Sequence, residues 1–260
     1  MQDRVKPFEN IRNFRDFGGY SGAEGRMIKT GILFRSAQLG EATEADLAAL
    51  ETYNITVQAD LRRPDERERH GHRWPTHGVN ILKSDKGRAT EAPHVRFLSE
   101  VAVDADKANG WMIDYYRAAP FKEQHTDTFK TWFQELASLQ PGQAAVVNCA
   151  AGKDRTGILC ALTHHVLGVD RGTIFADYDL TNEAADVATR LPEMARMFNQ
   201  HIGKDHPEEV YQPFVGVQDI FLQSAIESIE AEAGTLDAYL TEALNVGTRE
   251  RDALRAQLLS

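Results

Sequence analysis

The sequence predicts an α/β fold: a mostly parallel central sheet flanked by helices, with a helical C-terminal region. Three observations lead to this prediction. Short apolar runs alternate with helical patterns in the first half, one further apolar run directly precedes an apolar helix, and helical periodicity then continues to the end of the chain. Strands that alternate with helices usually form a parallel sheet, because each crossover between parallel strands is long enough to hold a helix.

Three short apolar runs in the first half predict strands. They are bounded by turn-forming residues and cover residues 31–34, 55–61 and 79–82. A helix is predicted between the first two strands, over residues 44–53. Thr43 is its expected N-cap, and Asp46 completes a variant of the capping box.

The second half is predicted to be mostly helical, with one strand. Between residues 129 and 139, apolar side chains recur at a spacing that places them on one helix face. Residues 144–147 predict a strand, and residues 158–167 predict a buried helix that ends at Gly168. Further helices are expected over residues 174–183, 192–199, 218–233, 236–244 and 249–258.

The chain of 260 residues is predicted to form a single domain over residues 1–260. The sequence has no internal repeat and no Pro-, Gly- or Ser-rich linker of the kind that separates domains. Residues 84–109 form a long connection with few strand or turn signals. Long loops in compact domains are often lids, so this segment is the candidate lid insertion.

The charge and the apolar content of the sequence limit the classes of binding partner and the cellular compartment that we expect. The sequence has 29 Lys and Arg against 39 Asp and Glu, a net charge of −10, which argues against a nucleic-acid partner held through phosphates. No run reaches the roughly 18–20 apolar residues of a membrane span, and the first residues lack the apolar core of a signal peptide. We expect no integral membrane contact and a cytoplasmic location, with leaderless export left open. Cys149 and Cys160 are expected to be reduced thiols.

The turn between the last strand and the buried helix, residues 147–157, carries the residues with reactive chemistry. A strand that feeds a tight loop and then a helix directs backbone N–H groups into one concavity, with the positive end of the helix dipole behind it. Ala150, Ala151 and Gly152 are small enough to let a phosphoryl group approach this backbone. Arg155 can add two parallel charged hydrogen bonds. The loop is therefore predicted to bind a phosphoryl dianion.

Cys149 is placed at the bottom of the same cup. The field there stabilises a thiolate, which is the nucleophilic form of cysteine. Thr156 is placed to hydrogen-bond the sulfur when it leaves in a second step. An inert, buried cysteine is the plainer alternative, but the spacing of Cys, Gly, Arg and Thr favours a nucleophile.

At these residues the chain resembles the protein tyrosine phosphatase superfamily, whose signature is Cys-x5-Arg-Ser/Thr. It is more closely similar to the bacterial branch with Cys-x-x-Gly-Lys-Asp-Arg-Thr-Gly, which includes phosphatases active on phosphotyrosine and, in some members, phosphoserine, phosphothreonine or phosphoinositides. Further similar segments are residues 13–19, 33–37, 60–62, 176–182 and 234–240. The resemblance implies a tyrosine-phosphatase-like fold and a cysteine-dependent phosphomonoesterase with a phosphocysteine intermediate. It also implies a phosphoprotein or phosphoinositide substrate and no metal or other cofactor.

A general acid must protonate the leaving oxygen. The better-known phosphatases use an Asp on a mobile Trp-Pro-Asp loop, but residues 74–76 here read Trp-Pro-Thr and supply no carboxylate. The resemblance to the bacterial branch implies that Asp154, inside the loop, is the acid. Asp60, at the end of a predicted strand, is the second candidate. The alternative for Asp60 is a structural salt bridge to Arg62 or Arg63.

Three further features of the sequence lead to predictions about the site. The superfamily usually has His before the cysteine, whereas this chain has Asn148, whose amide can still donate hydrogen bonds. Lys153 resembles the lysine with which phosphoinositide-handling members meet an additional ring phosphate, and a solvated loop lysine is the alternative. Residues 13–19 contain a Gly-Gly turn and an Arg/Asp pair, which we expect to buttress the site rather than to contact the substrate.

Other functions stay open on the sequence alone. His70, His72 and His77 suggest a zinc site, but four ligands at firm spacing are lacking, so no metal is expected there. A phosphate-binding pseudophosphatase, acting as an interaction module, would keep the cup without turnover, and Asn148 would permit it. A sulfurtransferase or arsenate reductase also places a cysteine beside an anion cup, although a loop closed by Arg-Thr fits phosphate monoesters better.

Overall fold

The computed structural model describes residues 4–74, 77–100 and 102–260. Within these residues five strands form one sheet. The strands are β1 (Arg15–Asp16), β2 (Leu33–Ser36), β3 (Ile55–Asp60), β4 (Asn80–Leu82) and β5 (Ala144–Asn148). The sequence predicts all of them except β1, which has only two residues and is too short to show a periodic pattern.

The strands follow the order β1-β2-β5-β3-β4, with β1 antiparallel to β2 and all other neighbours parallel. This confirms the predicted α/β class with a mostly parallel sheet. Ser36 and Asp60, the last residues of β2 and β3, both pair with Asn148, the last residue of β5. The three central strands therefore end level. The residues after them meet at the edge where α/β proteins bind ligands.

Twelve α-helices accompany the sheet in the described part of the chain. They are α1 (Glu44–Glu51), α2 (Pro64–Arg69), α3 (Pro93–Glu100), α4 (Ala105–Ala118), α5 (Glu123–Ser138), α6 (Asp154–Val166), α7 (Arg171–Ala184), α8 (Val187–Ile202), α9 (Gln212–Val215), α10 (Asp219–Ala233), α11 (Leu236–Glu242) and α12 (Thr248–Leu258). None of those described combines the length and the apolar content that crossing a bilayer requires.

The helices predicted from the sequence are confirmed, with shifted ends. Thr43 caps α1 and exchanges hydrogen bonds with Asp46, as the capping box predicts. The buried helix α6 begins at Asp154 rather than at Ile158, because its polar first turn conceals the apolar pattern. Gly168, at φ +80°, follows the end of this helix as expected.

Residues 84–109 contain more regular structure than the long connection suggested by the sequence. They hold α3 and the first residues of α4. Ala108, Met112 and Tyr116 of α4 recur every four residues and are buried. The Asn109-Gly110 pair inside α4 is typical of a turn, but packing of this apolar face against the core overrides the local preference.

The central strand β5 is buried along its whole length and joins two core clusters. Ala145 and Val147 face the larger cluster, which contains side chains from α5, α6 and α10. Ala144 and Val146 face a smaller cluster on the other side of the sheet. Strand geometry alternates side chains between the two faces. The carboxyl end of β5, just before Cys149, is thus held between two packed layers.

Candidate active site

The loop that follows β5 begins at Cys149 and leads into α6. Cys149 is 1 % exposed, and Cys160 on α6 is also buried and free. The residues after Cys149 form one side of a cavity of about 130 Å³. Those of its lining residues that belong to the loop and the first turn of α6 are Ala150, Ala151, Lys153, Asp154 and Arg155.

The carbonyl groups of the loop are turned away from this cavity by two side chains from the opposite side. The Asn13 amide donates to the carbonyls of Gly152 at 2.8 Å and Ala151 at 3.3 Å. Arg35 donates to the carbonyl of Gly152 at 3.0 Å. In a trans peptide the next N–H points opposite to the carbonyl. The amide groups that follow these carbonyls therefore point toward the cavity, as an anion-binding loop requires.

Gly152 is required by the close approach of this loop to β2. Its φ angle is +68°, a conformation that favours glycine. A Cβ at this position would lie 2.6 Å from the amide nitrogen of Ala37 and would also collide with the carbonyl of Ser36. Both obstacles are backbone atoms, so a larger residue would displace the loop.

A buried cluster of two arginines and one aspartate lies behind the loop. Asp177 on α7 pairs with Arg35 at 2.9 Å and with Arg15 at 3.7 Å. Burial raises the pKa of Asp177, but the two guanidinium groups lower it by more, so that the pKa falls to about 2. The expected buttress is therefore present, but Arg15 pairs with Asp177 rather than with its neighbour Asp16. Asp16 instead accepts a hydrogen bond from the amide of Gly31.

Arg155 is held by a carboxylate that the sequence analysis missed. Its two terminal nitrogens donate to the two oxygens of Glu66 at 2.7 and 3.0 Å, and one also donates to the carbonyl of Leu61 at 2.9 Å. Burial would lower the pKa of Arg155, but Glu66, Tyr115 and Cys149 raise it well above its ordinary value. Arg155 therefore stays charged and lies within electrostatic reach of Cys149.

Lys153 is neither a solvated lysine nor an ammonium free to meet the substrate. The residue is buried, and Nζ donates to the carbonyls of Pro213 at 3.0 Å and Gly216 at 2.9 Å. It also lies 3.3 Å from Oδ1 of Asp154. Three donors of an ammonium group thus face three oxygens. In this arrangement Lys153 ties the loop to the segment around α9.

Asp60 forms the salt bridge that was the alternative to a catalytic role. Its carboxylate accepts from Arg62 at 2.7, 2.9 and 3.1 Å and from the amide of Asn148 at 3.3 Å. The carbonyl oxygen of the Asn148 side chain accepts from Gln58 at 2.8 Å. Asn148 therefore joins a buried network beside the strands. Asp60 is absent from the lining of the cavity, whereas Asp154 belongs to it.

Among the buried polar atoms that have no protein partner in the described residues, two belong to the first turn of α6: Oγ1 of Thr156 and Nε of Arg155. Burying a polar group without a hydrogen bond costs free energy. The arrangement leaves both groups available to a bound anion or to the sulfur of Cys149, in keeping with the sequence prediction for Thr156.

The opposite walls of the cavity are largely aromatic. Trp111 and Tyr115 come from α4, and Phe214 comes from α9. Pro93 and His94 of α3 also line it, so part of the predicted lid segment, residues 84–109, lies against the site. Burial and the charge of Lys153 lower the pKa of His94 to about 4, so this imidazole is neutral near pH 7.

A family model described as the tyrosine phosphatase family matches residues 6–260. The chain belongs to this family. The phosphatase is 29% identical to a proposed tyrosine-protein phosphatase of Cupriavidus necator, over 92% of this chain and 84% of that protein. It is 27% identical to the triple specificity protein phosphatase PtpB of Mycobacterium tuberculosis, over 92% of this chain and 94% of that protein. These matches confirm the resemblance to the tyrosine phosphatases and the hydrolase class.

The three histidines that suggested zinc are not gathered in the phosphatase. His72 contacts the carbonyl of Trp74 and the side chain of Gln58, while His70 faces Glu41. Across residues 4–74, 77–100 and 102–260, no group of three metal-binding side chains occurs. Pro75 and Thr76 of the Trp-Pro-Thr segment lie outside the described residues.

The phosphatase has a second, larger cavity of about 430 Å³, remote from the loop. It lies between α6, α7, α10 and α11 and is lined mainly by aliphatic side chains. None of the residues 149–155 lines it. Tyr116 and Asp177 were not predicted as contributors to the site, because they come near the loop only through the tertiary fold, whereas Asn13 belongs to the segment that was expected to buttress it.

Proposed function

We propose that this phosphatase is a cysteine-dependent phosphomonoesterase that hydrolyses phosphotyrosine in proteins through a phosphocysteine intermediate, without a metal or other cofactor. The observation that carries the proposal is that the residues directly after Cys149 line one cavity together with Arg155, and that Arg155 lies within electrostatic reach of Cys149. A thiolate nucleophile beside a preorganised set of phosphate donors is what displacement at phosphorus requires.

In the first step, the thiolate of Cys149 attacks phosphorus and forms the S–P bond as the ester P–O bond breaks. Asp154 gives its proton to the departing oxygen. In the second step, water attacks the phosphocysteine and loses a proton to the Asp154 carboxylate. The S–P bond then breaks, and the thiolate and inorganic phosphate are released. The unpartnered hydroxyl of Thr156 is suited to stabilise the departing sulfur.

The loop and Arg155 bind the phosphoryl oxygens in this proposal. The amides of Gly152 and Lys153 point toward the cavity, and the small side chains of Ala150 and Ala151 leave the backbone accessible. Arg155 brings a planar guanidinium that is held in place by Glu66. Fixed donors of this kind stabilise charge that develops on the transferred phosphoryl group.

The walls favour an aromatic phosphoester. Trp111, Tyr115 and Phe214 offer flat apolar surfaces to a phenyl ring. Lys153 gives little support to a second phosphate, because its ammonium already faces three oxygens. We therefore rank phosphotyrosine protein above phosphoserine, phosphothreonine and phosphoinositides. The similarity to PtpB, a triple specificity protein phosphatase, is the reason to keep these other substrates in the test.

The location that fits two buried free thiols is a reducing compartment, so we propose that the protein acts in the cytoplasm. Fractionation of the cells that produce it should recover it with cytoplasmic proteins. Recovery from the culture medium of intact cells would contradict this.

The test of the proposed function is turnover of p-nitrophenyl phosphate and of phosphotyrosine, phosphoserine and phosphoinositide substrates, each with and without a chelator. Cys149→Ser should keep the fold and phosphate binding but fall below about a hundredth of wild-type activity, because an alkoxide is far harder to form than a thiolate. Cys160→Ser is the matched control, since it changes the other buried thiol, and it should stay active. Wild type that binds phosphate without turnover would be a pseudophosphatase, and loss of activity on chelation would refute a metal-free reaction.

A further inference from the structure

Two tyrosines form a chain of hydroxyl groups that ends on Asp154. The hydroxyl of Tyr116, on α4, donates to Oδ1 of Asp154 at 2.8 Å. The hydroxyl of Tyr178, on α7, lies 2.6 Å from that of Tyr116. Both tyrosines are essentially fully buried. Burial, reinforced by the charge of Asp154, raises the pKa of both well above the ordinary value, so they remain protonated near pH 7.

The direction of these hydrogen bonds follows from counting hydrogens. A tyrosine hydroxyl has one hydrogen to donate. The hydrogen of Tyr116 goes to Asp154, so the hydrogen between the two tyrosines must come from Tyr178. Tyr178 is itself fixed by close packing, since a Cβ added at Gly157 in α6 would lie 2.8 Å from its ring. The chain therefore runs from Tyr178 to Tyr116 to Asp154.

The two oxygens of Asp154 are made unequal by this chain. Oδ1 accepts from Tyr116 and lies 3.3 Å from the ammonium of Lys153. An oxygen that faces two donors is a poor place for a proton, because a proton there would point at other hydrogens. When Asp154 is protonated, the proton is therefore favoured on Oδ2.

We infer that Tyr116, supported by Tyr178, is a positioning residue that keeps the acidic proton of Asp154 on Oδ2 and fixes the orientation of the carboxyl group. The inference rests on the proposed role of Asp154. In the first step the proton leaves Oδ2 for the ester oxygen as the P–O bond breaks. The carboxylate that results keeps its hydrogen bond from Tyr116, and it recovers a proton from water in the second step.

Replacing Tyr116 by Phe removes the hydroxyl and keeps the buried ring. Tyr239→Phe is the matched control, because Tyr239 is also buried and its hydroxyl bonds the carbonyl of Pro120 at 2.6 Å, away from the cavity. Two substrates of similar size distinguish a role in leaving-group protonation from a merely structural role. The phenolate of phenyl phosphate needs a proton as it leaves, whereas the p-nitrophenolate of p-nitrophenyl phosphate leaves almost unaided. Both are assayed as kcat/KM over a range of pH, together with thermal unfolding.

We expect Tyr116→Phe to lower kcat/KM for phenyl phosphate by about ten- to a hundredfold and for p-nitrophenyl phosphate by less than about threefold. Tyr178→Phe should show the same selectivity with a smaller loss, and Tyr239→Phe should show none. A merely structural role would lower activity on both substrates equally, and that result would overturn the inference.

Asp154→Asn, made alone and together with Tyr116→Phe, separates this inference from the proposed function. If Asp154→Asn lowers kcat/KM equally for the two substrates, the assignment of Asp154 as the general acid fails. If Asp154→Asn lowers kcat/KM mainly for phenyl phosphate but Tyr116→Phe does not, only the proposed role of Tyr116 fails. If both hold, the double variant should lose no more on phenyl phosphate than Asp154→Asn does, since the tyrosine acts through the carboxyl. Additive losses would mean that Tyr116 acts independently, against the inference.

Discussion

Gly152→Ala is the substitution whose effect the structure defines most sharply. The added Cβ would lie 2.6 Å from the amide nitrogen of Ala37, whereas ordinary contacts begin at 3.4 Å. The obstacle is backbone of the strand region, and the carbonyl of Ser36 is closer still, so the loop between Cys149 and α6 must move by at least about 0.8 Å, the difference between these distances. A misplacement of about 1 Å can cost about a hundredfold in rate when the reacting groups are fixed by geometry. We expect kcat/KM to fall by about a hundredfold.

The matched control is Gly142→Ala, at the other end of β5. Gly142 also has a positive φ, +81°, but a Cβ there would meet nothing within 4 Å. Left-handed backbone strain alone costs roughly 1–2 kcal/mol, which corresponds to a few degrees in Tm for a chain of this size. We expect Gly142→Ala to lower Tm by this amount and to keep kcat/KM within about threefold of wild type. The assay is hydrolysis of p-nitrophenyl phosphate at a temperature where both variants are folded. Gly152→Ala with kcat/KM within about tenfold of wild type would refute the reasoning.

Three further substitutions test the groups around the loop. Arg155→Lys should lower kcat/KM by more than about tenfold, because a point charge cannot reproduce the planar pair of hydrogen bonds, and a smaller loss in steady-state kinetics would contradict that role. Asp177→Asn should lower the free energy of unfolding by about 3–5 kcal/mol at pH 7, since two buried guanidinium groups lose their partner. The pKa of Asp177 is lowered to about 2 from 3.8, so its stabilising contribution is complete above about pH 4 and is lost as the pH falls toward 2. Urea unfolding should therefore show wild type and variant converging over that range, and equal stability at pH 7 would be the contrary result. Lys153→Ala should change kcat/KM for a phosphotyrosine peptide and for a multiply phosphorylated inositol headgroup by the same factor, because its ammonium is bound to the protein. A loss of about five- to a hundredfold on the inositol substrate alone would show that Lys153 turns to meet a second phosphate.

Local sequence patterns were sufficient for every described strand except β1 and for most of the described helices. The capping box of Thr43 and Asp46 spans four residues, and its hydrogen bonds form as the pattern predicts. No helix was predicted over α4, which contains an Asn109-Gly110 pair of a kind typical of turns. There the burial of one apolar face against the core outweighs the preference of two residues for a turn.

The sequence by itself determined the phosphate loop, because Cys149, the small residues and Arg155 are close neighbours between a strand and a helix. The local sequence specifies the order of these groups, while Asn13 and Arg35, which are distant in sequence, hold the carbonyls of the loop. The resemblance to the bacterial branch implied Asp154 as the acid, and Asp60, at the end of a strand, was the second candidate.

Only the tertiary structure decided which partners hold these groups. Glu66 reaches Arg155 across 89 positions of sequence, Tyr116 reaches Asp154 across 38, and Asn13 reaches Gly152 across 139. The chain has 39 Asp and Glu residues, and nothing in their local spacing shows which one will face a given arginine. That choice depends on the order of strands in the sheet and on the packing of helices against it, because these bring distant side chains within hydrogen-bond distance.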